Sequence, residues 1–143
     1  MATANELLAG MSVGDDTTLV IDNYLRKIQI PKAITNLGVE HDDDVLTLNF
    51  KMPRYLDDTD LSSFAIRINY INANGDSDVY TINESKKTVT TEHIMFSWLV
   101  GPTATAYRGN TKFNVCMITT KTVDDKLVID KEYNTTIATL PVL

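Results

Sequence analysis

Catalysis needs groups that can converge, and this sequence supplies few of them. It holds two histidines, His41 and His93, and one cysteine, Cys116. His41 stands beside Asp42, Asp43 and Asp44 in a predicted charged turn, where a solvated loop outweighs a metal site. His93 follows Glu92 at the start of a predicted strand and is read the same way. No histidine pair has ligand spacing on one element, and a lone cysteine cannot build a cysteine-rich zinc centre. Ser12, Ser62, Ser63, Ser77, Ser85 and Ser97 all lie outside a Gly-x-Ser-x-Gly elbow, and both glycine-rich phosphate loops are missing. Asp57, Asp58 and Asp60 lack the glycine and glutamate spacing of a helix-loop-helix calcium loop. Asn72, Asn74, Asp76 and Asp78 alternate, but a turn at Asn74-Gly75 explains that run without an ion. The residues therefore assign no catalytic group, no metal and no cofactor, and the expected role is binding or structural.

The composition agrees with a single globular domain. At 143 residues, 43% hydrophobic and 22% charged, the chain can bury its own core and leaves no room for two ordinary domains. A net charge of −6 repels phosphate backbones, so a nucleic-acid partner is not expected. Cys116 sits in the apolar run Phe113-Asn114-Val115-Cys116-Met117-Ile118 and reads as a small buried hydrophobe. The N-terminus lacks the basic and apolar regions of a secretory signal, and no apolar stretch reaches the ~20 residues of a membrane helix. Synthesis and assembly in a cytoplasm, without a membrane partner, are the expectation.

From Thr18 onward the hydrophobic period is two. Residues 18–22 and 26–30 predict a first hairpin about Asn23-Tyr24, ended by Pro31. Over 45–51, Leu46, Leu48 and Phe50 face inward, and Pro53 closes the strand. A polar loop at 57–60 precedes a strand with Phe64, Ile66, Ile68 and Tyr70 on one face. The return strand, 78–82, follows the Asn-Gly turn, the firmest local pairing in the sequence. Residues 83–92 read as a loop with a short extended piece. Over 94–100, Ile94, Phe96, Trp98 and Val100 share a face. Met95, Ser97 and Leu99 make the other face mostly apolar too, which predicts a central strand covered on both sides. Residues 103–107 suggest one helical turn, 112–118 a strand with Phe113, Val115 and Met117 inward, and 133–140 a last strand ended by Pro141. Short strands joined by turns predict an all-β fold. It is a single antiparallel β-sandwich of immunoglobulin-like or jelly-roll-like type over 18–143, preceded by an extended arm over 1–17.

Several runs in this sequence carry a family resemblance. They include Ile-Pro-Lys-Ala-Ile-Thr-Asn-Leu-Gly-Val-Glu at 30–40 and Phe-Lys-Met-Pro-Arg-Tyr at 50–55. Ile-Arg-Ile-Asn-Tyr-Ile-Asn-Ala-Asn-Gly-Asp-Ser-Asp-Val-Tyr follows at 66–80, and Ile-Met-Phe-Ser-Trp-Leu-Val-Gly at 94–101. The closing run is Tyr-Asn-Thr-Thr-Ile-Ala-Thr-Leu-Pro-Val-Leu at 133–143. Over 28–143 the chain resembles a domain of structural proteins from bacteriophages and prophages of Gram-positive hosts. The resemblance implies a non-enzymatic virion component of head-fibre, capsid-associated or tail-baseplate type. It supplies no catalytic residues. Because members of that family often continue past the closing run into a fibrous extension, an end at Leu143 favours a compact accessory protein on the capsid exterior.

The first functional expectation is thus a capsid decoration or head-fibre base, docked on the major capsid protein or another virion protein. The arm would make that contact through Asn5, Leu7, Leu8 and Met11. A homo-oligomer is expected, and three-fold closure suits a capsid-surface fixture. The second expectation is a tail or baseplate adaptor. A third, of another class, is a carbohydrate-binding module engaging host wall glycans through exposed Tyr55, Tyr107 or Tyr133, with Trp98 left to the core. A chain beginning at Thr17 is expected to keep the circular dichroism of a β protein and to lose attachment to particles. Unfolding on truncation would instead assign residues 1–16 to the core.

Overall fold

A computed structural model describes residues 17–143; Asn5, Leu7, Leu8, Met11 and the rest of the expected arm before Thr17 lie outside the described residues. The described chain is all-β. Its strands are β1 Thr18–Asp22, β2 Lys27–Gln29, β3 Thr47–Pro53, β4 Tyr55–Leu56, β5 Thr59–Asp60 and β6 Ala65–Ile71. They continue with β7 Ser77–Thr81, β8 Thr88–Val89, β9 His93–Leu99, β10 Gly109–Val123, β11 Lys126–Asn134 and β12 Ala138–Val142. One sheet runs β2-β1-β3-β9-β8, the other β11-β10-β6-β7, with β12 beside the first part of β10.

The period-two pattern is what joins the sheets. Leu48, Phe50 and Met52 of β3 and Ile94, Phe96 and Trp98 of β9 turn one apolar face inward. Ile66, Ile68 and Tyr70 of β6 and Phe113, Val115 and Met117 of β10 answer from the second sheet. Aromatic rings lock the layers together. Phe50 stacks on Phe96 at 5.2 Å and meets Phe113 edge-on at 6.4 Å. Trp98 lies 5.2 Å from Tyr70 and 5.3 Å from Phe113. Phe50 and Phe96 are cross-strand neighbours in one sheet, while the Phe113 and Tyr70 contacts span the interface between sheets, the arrangement of a β-sandwich.

The structure departs from the sequence reading at several points. The pairing is not wholly antiparallel, because β1 runs parallel to β3 with Leu19 opposite Phe50. The covered-on-both-sides reading of β9 is corrected: Ser97 and Leu99 are exposed, and no third layer packs there among the described residues. Residues 103–107 form turns and bends rather than a helix. The polar loop at 57–60 is a small hairpin: it turns at Asp57, φ 52°, and holds the two-residue strand β5, which pairs back on β4 just before it.

The expected strand at 133–140 is two strands. Thr135 breaks it by turning its hydroxyl inward, where it accepts the Val115 N–H at 2.9 Å. Pro141 lies inside β12 instead of ending it. Its carbonyl accepts the Leu37 N–H at 2.8 Å, so its polar side faces away from β10 and the missing N–H interrupts no ladder.

Trp98 is fully buried, and its Nε1–H has no acceptor among the described residues. Trp98→Ala is expected to destabilise the domain by about 3–5 kcal/mol in urea unfolding. Trp98→Phe should cost clearly less, since it removes the unbonded N–H together with part of the ring.

Candidate functional site

The chemistry-bearing residues do not meet. His41 is exposed in its turn with φ 75°, while His93 starts β9 with its N–H on the Thr90 hydroxyl at 3.0 Å. Ser97 is exposed and spends its hydroxyl on Asn49 at 2.7 Å. Cys116 is buried on the outward side of β10, and burial pushes its thiol pKa up against the opposing pull of Arg67. Among the described residues no group of three or more His, Cys, Asp or Glu side chains is placed to hold a metal.

The aspartates have structural employment. Asp60 takes Arg54 in a two-point grip, at 3.1 Å from Nε and 2.9 Å from Nη2. That guanidinium, with the Ser62 N–H, holds its carboxyl well below the usual carboxylate range. Asp76 accepts from both Asn72 and Asn74 across the β6–β7 turn. Asn72, read in the sequence only as part of the turn's alternating run, is the buried anchor of that turn: its Oδ1 accepts the N–H groups of Asn74 and Asp76, each at 3.0 Å.

Of the three tyrosines expected to face glycans, Tyr55 and Tyr107 are exposed and Tyr133 is not. Tyr133 is 3% exposed, and its hydroxyl donates to Asn23 Oδ1 at 2.8 Å. Asn23 in turn donates to the carbonyls of Pro53 and Tyr55, both at 3.1 Å. The Arg26 guanidinium covers the Tyr133 ring at 4.3 Å and reaches the Asn134 carbonyl at 3.2 Å. The C-terminal end of β11 is therefore clamped to the turn after β1 and to the β3–β4 junction in the other sheet.

From this clamp a ribbon leaves the sandwich. β6 pairs with β10 only from Lys112 to Ile118, but β10 runs on to Val123 with β11 as its partner. Asp124 and Asp125, at φ 53° and 63°, make the two-residue turn between them. Two consecutive positive φ values mark a primed hairpin turn, and aspartate is among the few residues that tolerate it. Every residue from 120 to 132 is exposed. The exposed set includes Val123 at 45%, Leu127 at 73%, Val128 at 39% and Ile129 at 50%. Ile129 and Leu127 stand opposite Thr120 and Thr122, whereas Val128 stands opposite Lys121, so apolar side chains emerge from both faces.

The other edges of the sandwich body are blunted, and the open run of β10 past Ile118 is only five residues, 119–123. β2 and β8 have three and two residues, and the far edge of β12 is covered by the segment at 37–40, which bonds to Pro141 and Leu143. The β7 edge is five residues long and carries Asp78. β11, nine residues with Leu127-Val128-Ile129 together, is the long apolar edge, the kind that pairs with another strand. The sequence reading did not reveal the ribbon, whose turn is the pair Asp124-Asp125. Its signal was available in the five consecutive β-forming or alternating positions on each side of those aspartates.

Compared with known proteins, the chain matches no family model, no curated protein and no solved structure. The ribbon and its clamp are accordingly identified by geometry alone.

The clamp has a pH signature. Burial pushes the Tyr133 phenol up to about 12, with Arg26 opposing, and burial plus Asp78 does the same to Tyr70. Both phenols ordinarily titrate near 10.0, so the fold favours their neutral form. That stability is complete below the unfolded value and is lost as pH rises from there toward the folded one. An ultraviolet titration is expected to show two of the six tyrosines ionising last, together with unfolding. Ionisation of all six at the ordinary value with the fold intact would contradict the clamp.

Proposed function

We propose that this chain is a non-enzymatic structural protein of a bacteriophage virion, a capsid decoration or head-fibre base that acts through surface contacts. The observation that carries the reading is the ribbon. A rigidly rooted, fully exposed two-stranded projection with apolar residues on both faces is built to touch protein, and an isolated hairpin of this kind is marginal in water without a partner. The likeness of residues 28–143 to phage structural proteins supports the same class.

On this reading the partners are the major capsid protein or other virion proteins and further copies of the chain. Assembly takes place in the host cytoplasm and the final location is the virion. The net charge of −6 argues against a nucleic-acid partner. A tail or baseplate position is the alternative within the virion, and copy number separates the two, since a shell offers far more equivalent sites than a baseplate. Immunogold labelling of purified particles is expected to cover the head. Label confined to the tail would move the protein there, and unlabelled particles would remove it from the virion.

A further inference from the structure

The exposed edge of β11 has a property that belongs to its sequence order. The segment Lys126-Leu127-Val128-Ile129-Asp130 is complementary to itself when laid antiparallel on a second copy about Val128. Lys126 then faces Asp130, Leu127 faces Ile129, and Val128 meets its own counterpart. A slip of one residue one way sets Lys126 against Lys131, a like-charge clash directly across the strands, and the other way sets Lys126 against Ile129 and leaves its charge without a counterpart. Asp125, the next residue back, already belongs to the turn, so the complementarity ends where the turn begins.

The backbone is disposed to use that match. Val123 and Lys126 flank the two-residue turn, and Lys121 stands opposite Val128. In a hairpin of this type the flanking pair is hydrogen-bonded, and bonded and non-bonded pairs alternate along the ribbon. Lys126 and Val128 therefore turn their N–H and C=O groups to β10, and Leu127 and Ile129 turn theirs to the open edge. The bulge between Thr119 and Thr120 leaves Asp130 outside the β10 register; its carboxylate reaches Lys121 at 3.5 Å, and both side chains stay substantially exposed.

We propose that this edge joins two copies of the chain, β11 pairing with β11 antiparallel about a two-fold axis at Val128 to make a four-stranded sheet. The pairing rests on the ribbon being a protein-contact surface, and it names the occupant. Such a contact is isologous and closes at two copies, where the capsid setting alone suggests three. It satisfies the open backbone groups of Leu127 and Ile129 and covers the most exposed apolar residues of the ribbon.

Sedimentation velocity on the full chain tests it. The chain is expected to dimerise at concentrations up to about 200 µM, the weak range of a small interface. Lys126→Asp sets two pairs of aspartates face to face in each dimer and Asp130→Lys two pairs of lysines, so each variant alone should weaken association about tenfold or more. The double variant K126D/D130K should restore it. An equimolar mixture of the two single variants should form a mixed dimer, because each then supplies the charge that the other lacks. Circular dichroism of each variant checks that the domain remains folded.

A wild-type chain that stays monomeric, a dimer indifferent to either single variant, or single variants that weaken association but do not rescue one another would each overturn the pairing. Monomeric protein that still labels particles would sink the self-pairing and leave the virion reading in place. A charge-sensitive dimer absent from particles would do the reverse.

Discussion

The length of β10 is the constraint on which the rest of the molecule depends. Its fifteen residues outrun every neighbour: β12 holds the first part, β6 the middle and β11 the remainder. Where β6 lies alongside, Phe113, Val115 and Met117 reach the aromatic core and the strand is half of a sandwich. Past Ile118 no strand among the described residues lies along that edge, and the same backbone becomes a projection. One strand thus supplies both the core that makes the fold stable and the ribbon that makes it sociable.

That continuity explains the clamp at the base of the ribbon. A two-stranded ribbon held only at one end would fray toward its root, since it buries little apolar surface of its own. The Tyr133 hydroxyl on Asn23, Arg26 across the ring, and the Thr136 N–H on the Arg26 carbonyl at 2.6 Å fix the root to the opposite sheet. Fraying is then confined to the tip, and β11 leaves the sandwich in a set direction. Lys87 plays a comparable part elsewhere: with its side chain 4% exposed, its ammonium serves the Ser62 and Phe64 carbonyls and the Glu84 carboxylate, tying the β8 approach to the start of β6.

Much of the sandwich is legible in the sequence, because burial on one face enforces alternation. Leu48, Phe50, Ile66, Ile68, Phe96, Trp98, Phe113 and Val115 all face the core as their spacing requires. What the spacing does not carry is which strands are neighbours. The parallel β1–β3 pair and the shared edge of β10 are set by long-range packing, and alternation looks the same in either direction. The two-sided reading of β9 failed because Met95 and Leu99 are apolar enough to suggest a second layer, yet an isolated exposed leucine is ordinary on a protein surface. The last strand was misjudged through Pro141, whose terminating effect applies only where its nitrogen must serve a ladder. The ribbon is the hardest feature to read: its alternation of charged and apolar residues resembles any half-buried strand, and only the structure shows that nothing described covers either face.

An acidic chain that pairs with itself poses an electrostatic question. Two bodies of charge −6 repel, and that repulsion opposes association at long range. Screening limits its reach to about 8 Å at physiological ionic strength, which is short compared with the extent of a domain. The ribbon meets its partner well away from the sandwich body, and its own charges nearly cancel, with Lys121, Lys126 and Lys131 set against Asp124, Asp125, Asp130 and Glu132. Placing the contact at the end of a projection separates the two requirements. The body keeps the net charge that discourages indiscriminate association, while the edge that must associate carries a local pattern in which register, not total charge, decides whether strands attract.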